Sequence, residues 1–143
     1  MPARHPPRRL QLRRGGGYAG LRILVIDNEP AILAGMRALL EGWGCACDTA
    51  AHAREALSRI ADEAAPHFVI ADYHLDEEDG IAAIGRLRER FGAAMPAILI
   101  TADRDTSLRR RAAQLDIDLL QKPLKPAALR ALLTRMAALA AAE

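Results

Sequence analysis

Aromatic side chains are nearly missing from this sequence: Phe, Trp and Tyr together make up 3% of its 143 residues. A core cannot then lean on rings and must be aliphatic, built from Leu, Ile, Val and abundant Ala. No apolar run approaches the roughly 18 residues needed to cross a bilayer. The basic N-terminus is followed by no continuous apolar segment, which argues against a signal peptide. Cys45 and Cys47 are one residue apart, too close in sequence for an ordinary disulfide, and read as small buried or half-buried thiols. His5, His52, His67 and His74 have no metal-ligand spacing and read as surface or packing residues. These absences together fit a cytoplasmic protein.

Acids are absent from the first 20 residues, which hold Arg4, Arg8, Arg9, Arg13 and Arg14. With +5 there and +2 overall, the rest of the chain carries −3, so the pI of about 8.8 reflects this segment alone. A nucleic-acid partner would have to bind through it. It offers neither stacking aromatics nor a helical frame, and none is expected. Pro2, Pro6, Pro7 and Gly15-Gly16-Gly17 mark residues 1–20 as a flexible leader or linker. The remaining 21–143, with 51% apolar and 27% charged residues in the chain, suit one globular domain.

Within that domain short apolar runs alternate with helical patterns. The runs are Arg22–Ile26, Ala46–Thr49, Phe68–Ala71, Ala97–Thr101 and Leu119–Gln121. Helical spacing begins near Pro30, His52, Asp79, Asp105 and Pro126, with proline suited to the opening turns of the first and last helices. Asp79 reads as a helix cap, and Trp43, between two glycines, as a packing anchor at a helix end. Five strand–helix repeats predict an α/β fold, a five-stranded parallel sheet covered on both faces. In such sheets ligands sit beyond the carboxyl ends of the strands.

Polar residues stand at those ends. The first run is followed by Asp27-Asn28-Glu29, the third by Asp72, and the fifth by Lys122-Pro123, while the fourth closes with Thr101. Clustered carboxylates repel, and a hard cation relieves the repulsion. Mg²⁺ takes oxygen ligands, keeps several waters and is content with one or two carboxylates. Asp27, Asn28, Asp72 and a backbone carbonyl just past Asp72 could supply the oxygens. A carboxylate beside Mg²⁺ stays ionised and can act as a nucleophile. Charge developing on a transferred phosphoryl group could then be met by the Lys122 ammonium and the Thr101 hydroxyl. Only two residues are lysine, Lys122 and Lys125, against 18 arginines. A compact ammonium at a strand end suits a small pocket better than a planar guanidinium.

Leu24-Val25-Ile26-Asp27-Asn28-Glu29-Pro30, Asp72-Tyr73-His74-Leu75 through Asp79-Gly80, Ile100-Thr101-Ala102 and Gln121-Lys122-Pro123 resemble the four signature segments of response-regulator receiver domains. The resemblance spans about residues 21–140. It implies a flavodoxin-like sheet in strand order 2-1-3-4-5 and a phosphorelay role. Asp72 would be the phosphoacceptor. Asp27, Asn28, Asp72 and the carbonyl of His74 would hold Mg²⁺. Thr101 would be the switch hydroxyl, and Lys122, with a cis bond to Pro123, the pocket lysine. The implied partner is a histidine kinase or histidine phosphotransfer protein. The domain would assist its own phosphorylation and dephosphorylation, and would not be an enzyme acting on an external metabolite.

Three positions depart from the pattern. Asn28 replaces a second acid, which implies weaker metal affinity. Leu119 stands where an aromatic switch residue is common, and Asp76 where proline is common. These departures motivate an alternative, a degenerate receiver that binds partners without phosphorylation. A narrower resemblance, to the C-terminal receivers of hybrid sensor histidine kinases, rests on the same segments with Gly42-Trp43-Gly44-Cys45 and Leu124-Lys125-Pro126; the chain would then follow a kinase core and carry no output domain. A free single-domain regulator is equally compatible, and a homodimer is left open. An enzyme on the same fold is disfavoured. A flavin site needs a phosphate-cradling loop after the first strand, where this loop is acidic. An aspartyl phosphatase needs a second acid where His74 stands.

Overall fold

The computed structural model describes residues 20–141. Apart from Gly20, the leader expected over 1–20 lies outside the described residues. The elements are β1 (Arg22–Ile26), α1 (Pro30–Gly42), β2 (Ala46–Ala50), α2 (Ala53–Arg59), β3 (Phe68–Asp72), α3 (Gly80–Phe91), β4 (Ala97–Thr101), α4 (Thr106–Gln114), β5 (Ile117–Gln121) and α5 (Pro126–Ala141). A single 3₁₀ turn, Asp62–Ala64, lies between α2 and β3. Every strand pairing is parallel, in the order β2-β1-β3-β4-β5, as the resemblance implied.

Local chemistry fixes the helix starts. Asp79 accepts a hydrogen bond from the Ala82 N–H at 2.8 Å and Asp105 one from the Ser107 N–H at 2.9 Å, each satisfying an orphan donor of the first turn. His52 caps α2 in the same way, its Nδ1 accepting from the Glu55 N–H at 3.1 Å, a more defined role than the surface or packing one expected. Proline opens α1 and α5. The weakest strand by propensity, β2, forms because its alternate residues Cys47 and Thr49 lie beside Ile23 and Val25 of β1.

Side chains alternate across β1. Ile23 and Val25 join Met36 and Leu40 of α1 and Leu129 and Leu133 of α5, while Leu24 and Ile26 join residues of α2, α3 and α4. The inner strands β3 and β4 are buried throughout, which is why they read as continuous apolar runs. Cys45 and Cys47 are free and buried, and burial pushes each thiol up to about 11, so both remain protonated packing groups at neutral pH. Trp43 packs partly buried at the end of α1, with the Arg130 guanidinium 5.5 Å from its ring centroid. β5 begins at Ile117, two residues before the run at Leu119. Ile117 is buried opposite Ala97, while Asp118 turns outward to Arg135 at 3.0 Å, so the strand start is hidden behind two aspartates.

Gly80 sets how closely α3 approaches β3. Its N–H donates to the Tyr73 carbonyl at 2.8 Å. A Cβ there would collide with the Asp72 carbonyl oxygen and lie 2.7 Å from Leu99 Cδ1. Gly85, five residues along the same helix, is exposed with open space around it. Substituting alanine at the two glycines should therefore act with opposite signs. Gly80→Ala is expected to destabilise by about 2–3 kcal/mol through overpacking. Gly85→Ala is expected to stabilise by about 0.5–1 kcal/mol. Urea denaturation of the two variants measures both, and equal effects would contradict this packing.

Candidate functional site

Strand register assembles the site. Ile26 is level with Ala71 across β1 and β3, so the next residues, Asp27 and Asp72, emerge side by side. Asp72 is level with Ile100, so Thr101 emerges one step beyond on β4. Thr101 is level with Gln121, so Lys122 emerges one step beyond on β5. All four residues share the rim beyond the carboxyl ends of the strands. β1 and β3 flank the point where strand order reverses, the usual ligand position in this architecture.

The acids there are buried. Asp27 is 4% exposed and Asp72 7%. Burial, followed by the charge of Asp72, pushes the Asp27 carboxyl above its ordinary range. The Glu29 N–H, donating to Asp27 Oδ1 at 2.9 Å, and the Lys122 charge pull the other way. The Lys122 ammonium lies 3.2 Å from Asp72 Oδ1. That contact is an ion pair, and the same buried oxygen has no hydrogen-bond partner. An anionic oxygen so placed is costly unless a further cation or donor serves it.

The remaining expected site residues are engaged in loop contacts. Asn28 donates from Nδ2 to Asp76 Oδ1 at 3.0 Å, bridging the β1–α1 and β3–α3 loops. Thr101 is fully buried, and its Oγ1 accepts from the Asp103 N–H at 3.0 Å. The His74 side chain is exposed, with Nε2 3.1 Å from Asp103 Oδ2. Gln121 Nε2 donates to the Asp103 carbonyl at 2.7 Å. Asp103 thus ties together β4, β5 and the β3–α3 loop. Sequence reading missed it, although an acid two residues past a strand-end threonine is a recognisable turn signal. The Lys122–Pro123 peptide is cis, as implied. Leu119 is half-buried beside Leu99 and lines shallow grooves on both sides of β5, so no ring swings at that position.

The residues present fit a small hard cation. Two carboxylates converge, one with an orphaned buried oxygen. Among the described residues no group of three or more His, Cys, Asp or Glu side chains could hold a metal, so a transition-metal cage is not built here. Mg²⁺ needs no such cage, because one or two carboxylates and several waters complete its octahedron. Among the described residues no helix is long and apolar enough to cross a membrane.

Comparison with known proteins identifies the family. The family described as "Response regulator receiver domain" matches residues 23–134. An uncharacterized 14.6 kDa protein of Leptolyngbya boryana is 37% identical over 114 residues, covering 76% of this chain and 83% of its own length. The response regulator MprA of Mycolicibacterium vanbaalenii is 37% identical over 119 residues, covering 83% of this chain and 50% of its own length. The chain thus spans only half of that regulator. Among solved structures, chemotaxis protein CheY4 of Vibrio cholerae superposes with a TM-score of 0.74 at 23% identity, covering 82% of this chain and 99% of the other, and supports the flavodoxin-like fold. By sequence, fold and the company its strand ends keep, the chain belongs to the response regulator receiver domains, the signalling modules of two-component systems.

Proposed function

We propose that the chain is a phosphoacceptor of a two-component phosphorelay, with Asp72 the residue modified. The observation that carries this is a buried carboxylate at the strand ends, one oxygen of which lies 3.2 Å from an ammonium yet makes no hydrogen bond. The donor would be the phosphohistidine of a kinase or phosphotransfer protein. An Asp72 carboxylate oxygen attacks phosphorus, the P–N bond breaks, its electron pair returns to the imidazole, and an acyl phosphate forms. Asp27, Asp72, the Asn28 amide oxygen and the His74 carbonyl would hold Mg²⁺, which when bound offsets phosphoryl charge. Lys122 meets a further phosphoryl oxygen with its ammonium. Thr101 turns its hydroxyl to the new phosphoryl group once it leaves the Asp103 N–H. The alternative, a partner-binding module that is never phosphorylated, draws on Asn28 and Leu119.

Two outcomes test this reading. Incubation with a small phosphodonor and Mg²⁺ should add one phosphoryl mass to the intact protein, and Asp72→Asn should abolish it. Labelling undiminished in that variant would contradict the assignment, and an unlabelled wild type would favour the binding module.

Asp27 gives the second test, through pH. Because its folded carboxyl is raised, the unfolded chain ionises first. Below the ordinary carboxylate range both states are protonated and folding carries no penalty. As pH rises through the raised folded value, the buried group must ionise and stability falls. Asp27→Asn, which keeps an acceptor for the Glu29 N–H, should therefore raise the urea midpoint in EDTA at pH 7 and flatten its acid-side dependence. Added Mg²⁺ should stabilise the wild type more than the variant, since binding to the folded state alone shifts the midpoint. A variant less stable than wild type in EDTA would refute this.

A further inference from the structure

Four consecutive acids, Asp76-Glu77-Glu78-Asp79, close the β3–α3 loop beside the site. Three are occupied by groups that hold them away from it. Glu77 pairs with Arg54 at 2.6 Å and lies 3.6 Å from His52. Glu78 pairs with Arg86 at 3.2 Å. Asp79 caps α3. Asp76 differs: among the described residues no cation pairs with it, and its carboxylate accepts from the neutral amide of Asn28 at 3.0 Å. Asn28 directly follows Asp27, so this charge faces the acidic rim.

A planar amide carries its nitrogen and oxygen on opposite edges. With Nδ2 committed to Asp76, Oδ1 is the edge left open, and no protein donor among the described residues takes it. A carboxylate accepting from an amide N–H polarises the group and makes its oxygen a better ligand. Carboxylates behind imidazole ligands do the same in other metal sites. The two sequence departures, Asn28 and Asp76, thus meet in one hydrogen bond.

We infer that Asp76 is a positioning residue for the divalent cation: acting through the Asn28 amide, it fixes the amide oxygen toward the metal and returns from the opposite loop the negative charge that Asn28 lacks. The inference rests on the Mg²⁺-dependent reading above and adds to it a residue outside the ligand set.

Calorimetric Mg²⁺ titration of four proteins tests it: wild type, Asp76→Asn, Asn28→Asp, and the double variant Asn28→Asp/Asp76→Asn. Asparagine at 76 can still accept from Asn28 Nδ2, so Asp76→Asn keeps the loop tether and removes only charge. It should weaken Mg²⁺ binding by about tenfold, the lower end of outer-shell effects because the pair is exposed. The double variant moves the carboxylate from one loop to the other and should bind at least as tightly as wild type. An Asp76→Asn affinity within twofold of wild type, or a double variant as weak as Asp76→Asn, would overturn the inference while leaving Mg²⁺ binding intact. A wild type that binds no Mg²⁺ at millimolar concentration would overturn the metal reading itself and this inference with it.

Discussion

Two carboxylates held side by side, away from water, are the constraint on which the rest of this domain turns. Asp27 and Asp72 arrive there because β1 and β3 pair in parallel with Ile26 level with Ala71. Burial and the neighbouring charge of Asp72 make ionisation of Asp27 costly, and the Lys122 charge offsets only part of that cost. Such an arrangement favours a positive charge beside it. In the proposed function a divalent ion and the electrophilic phosphorus of a phosphoryl group answer it in turn.

The scaffold serves this arrangement in specific ways. Buried inner strands let β3 and β4 present Asp72 and Thr101 without competing solvent. Gly80 lets α3 lie close enough to β3 for its N–H to reach the Tyr73 carbonyl directly after Asp72. Asp103 accepts or donates to groups from three segments, and its N–H donates to the Thr101 hydroxyl oxygen. In the proposed function, movement of Thr101 toward Asp72 would strain that bond and disturb the β4–α4 loop. With Leu119 in place of a ring, the disturbance would pass through the loop and β5 backbone.

Much of this was legible in the residues. Strand ends were readable where an apolar run meets a polar residue, so β1 and β4 fell where expected and Asp27, Asp72, Thr101 and Lys122 came to one rim. The start of β5 was not, because Asp116 and Asp118 flank Ile117 and break the apolar signal. The engagements of Asn28 with Asp76 and of His74 with Asp103 were not legible either. They join loops far apart in sequence, and loops have no periodicity from which a partner can be read. Asp76 stood out as unusual, yet only its position opposite Asn28 gives the oddity a meaning.

A phosphoryl mimic probes the electrostatics of the pocket more directly than a phosphodonor. Fluorine NMR of the protein with beryllofluoride should show bound resonances when Mg²⁺ is present, none when it is chelated, and none in a variant lacking the Asp72 carboxylate. Bound resonances that persist without Mg²⁺, or in that variant, would contradict the claim that a cation and the Asp72 oxygen together form the receptor.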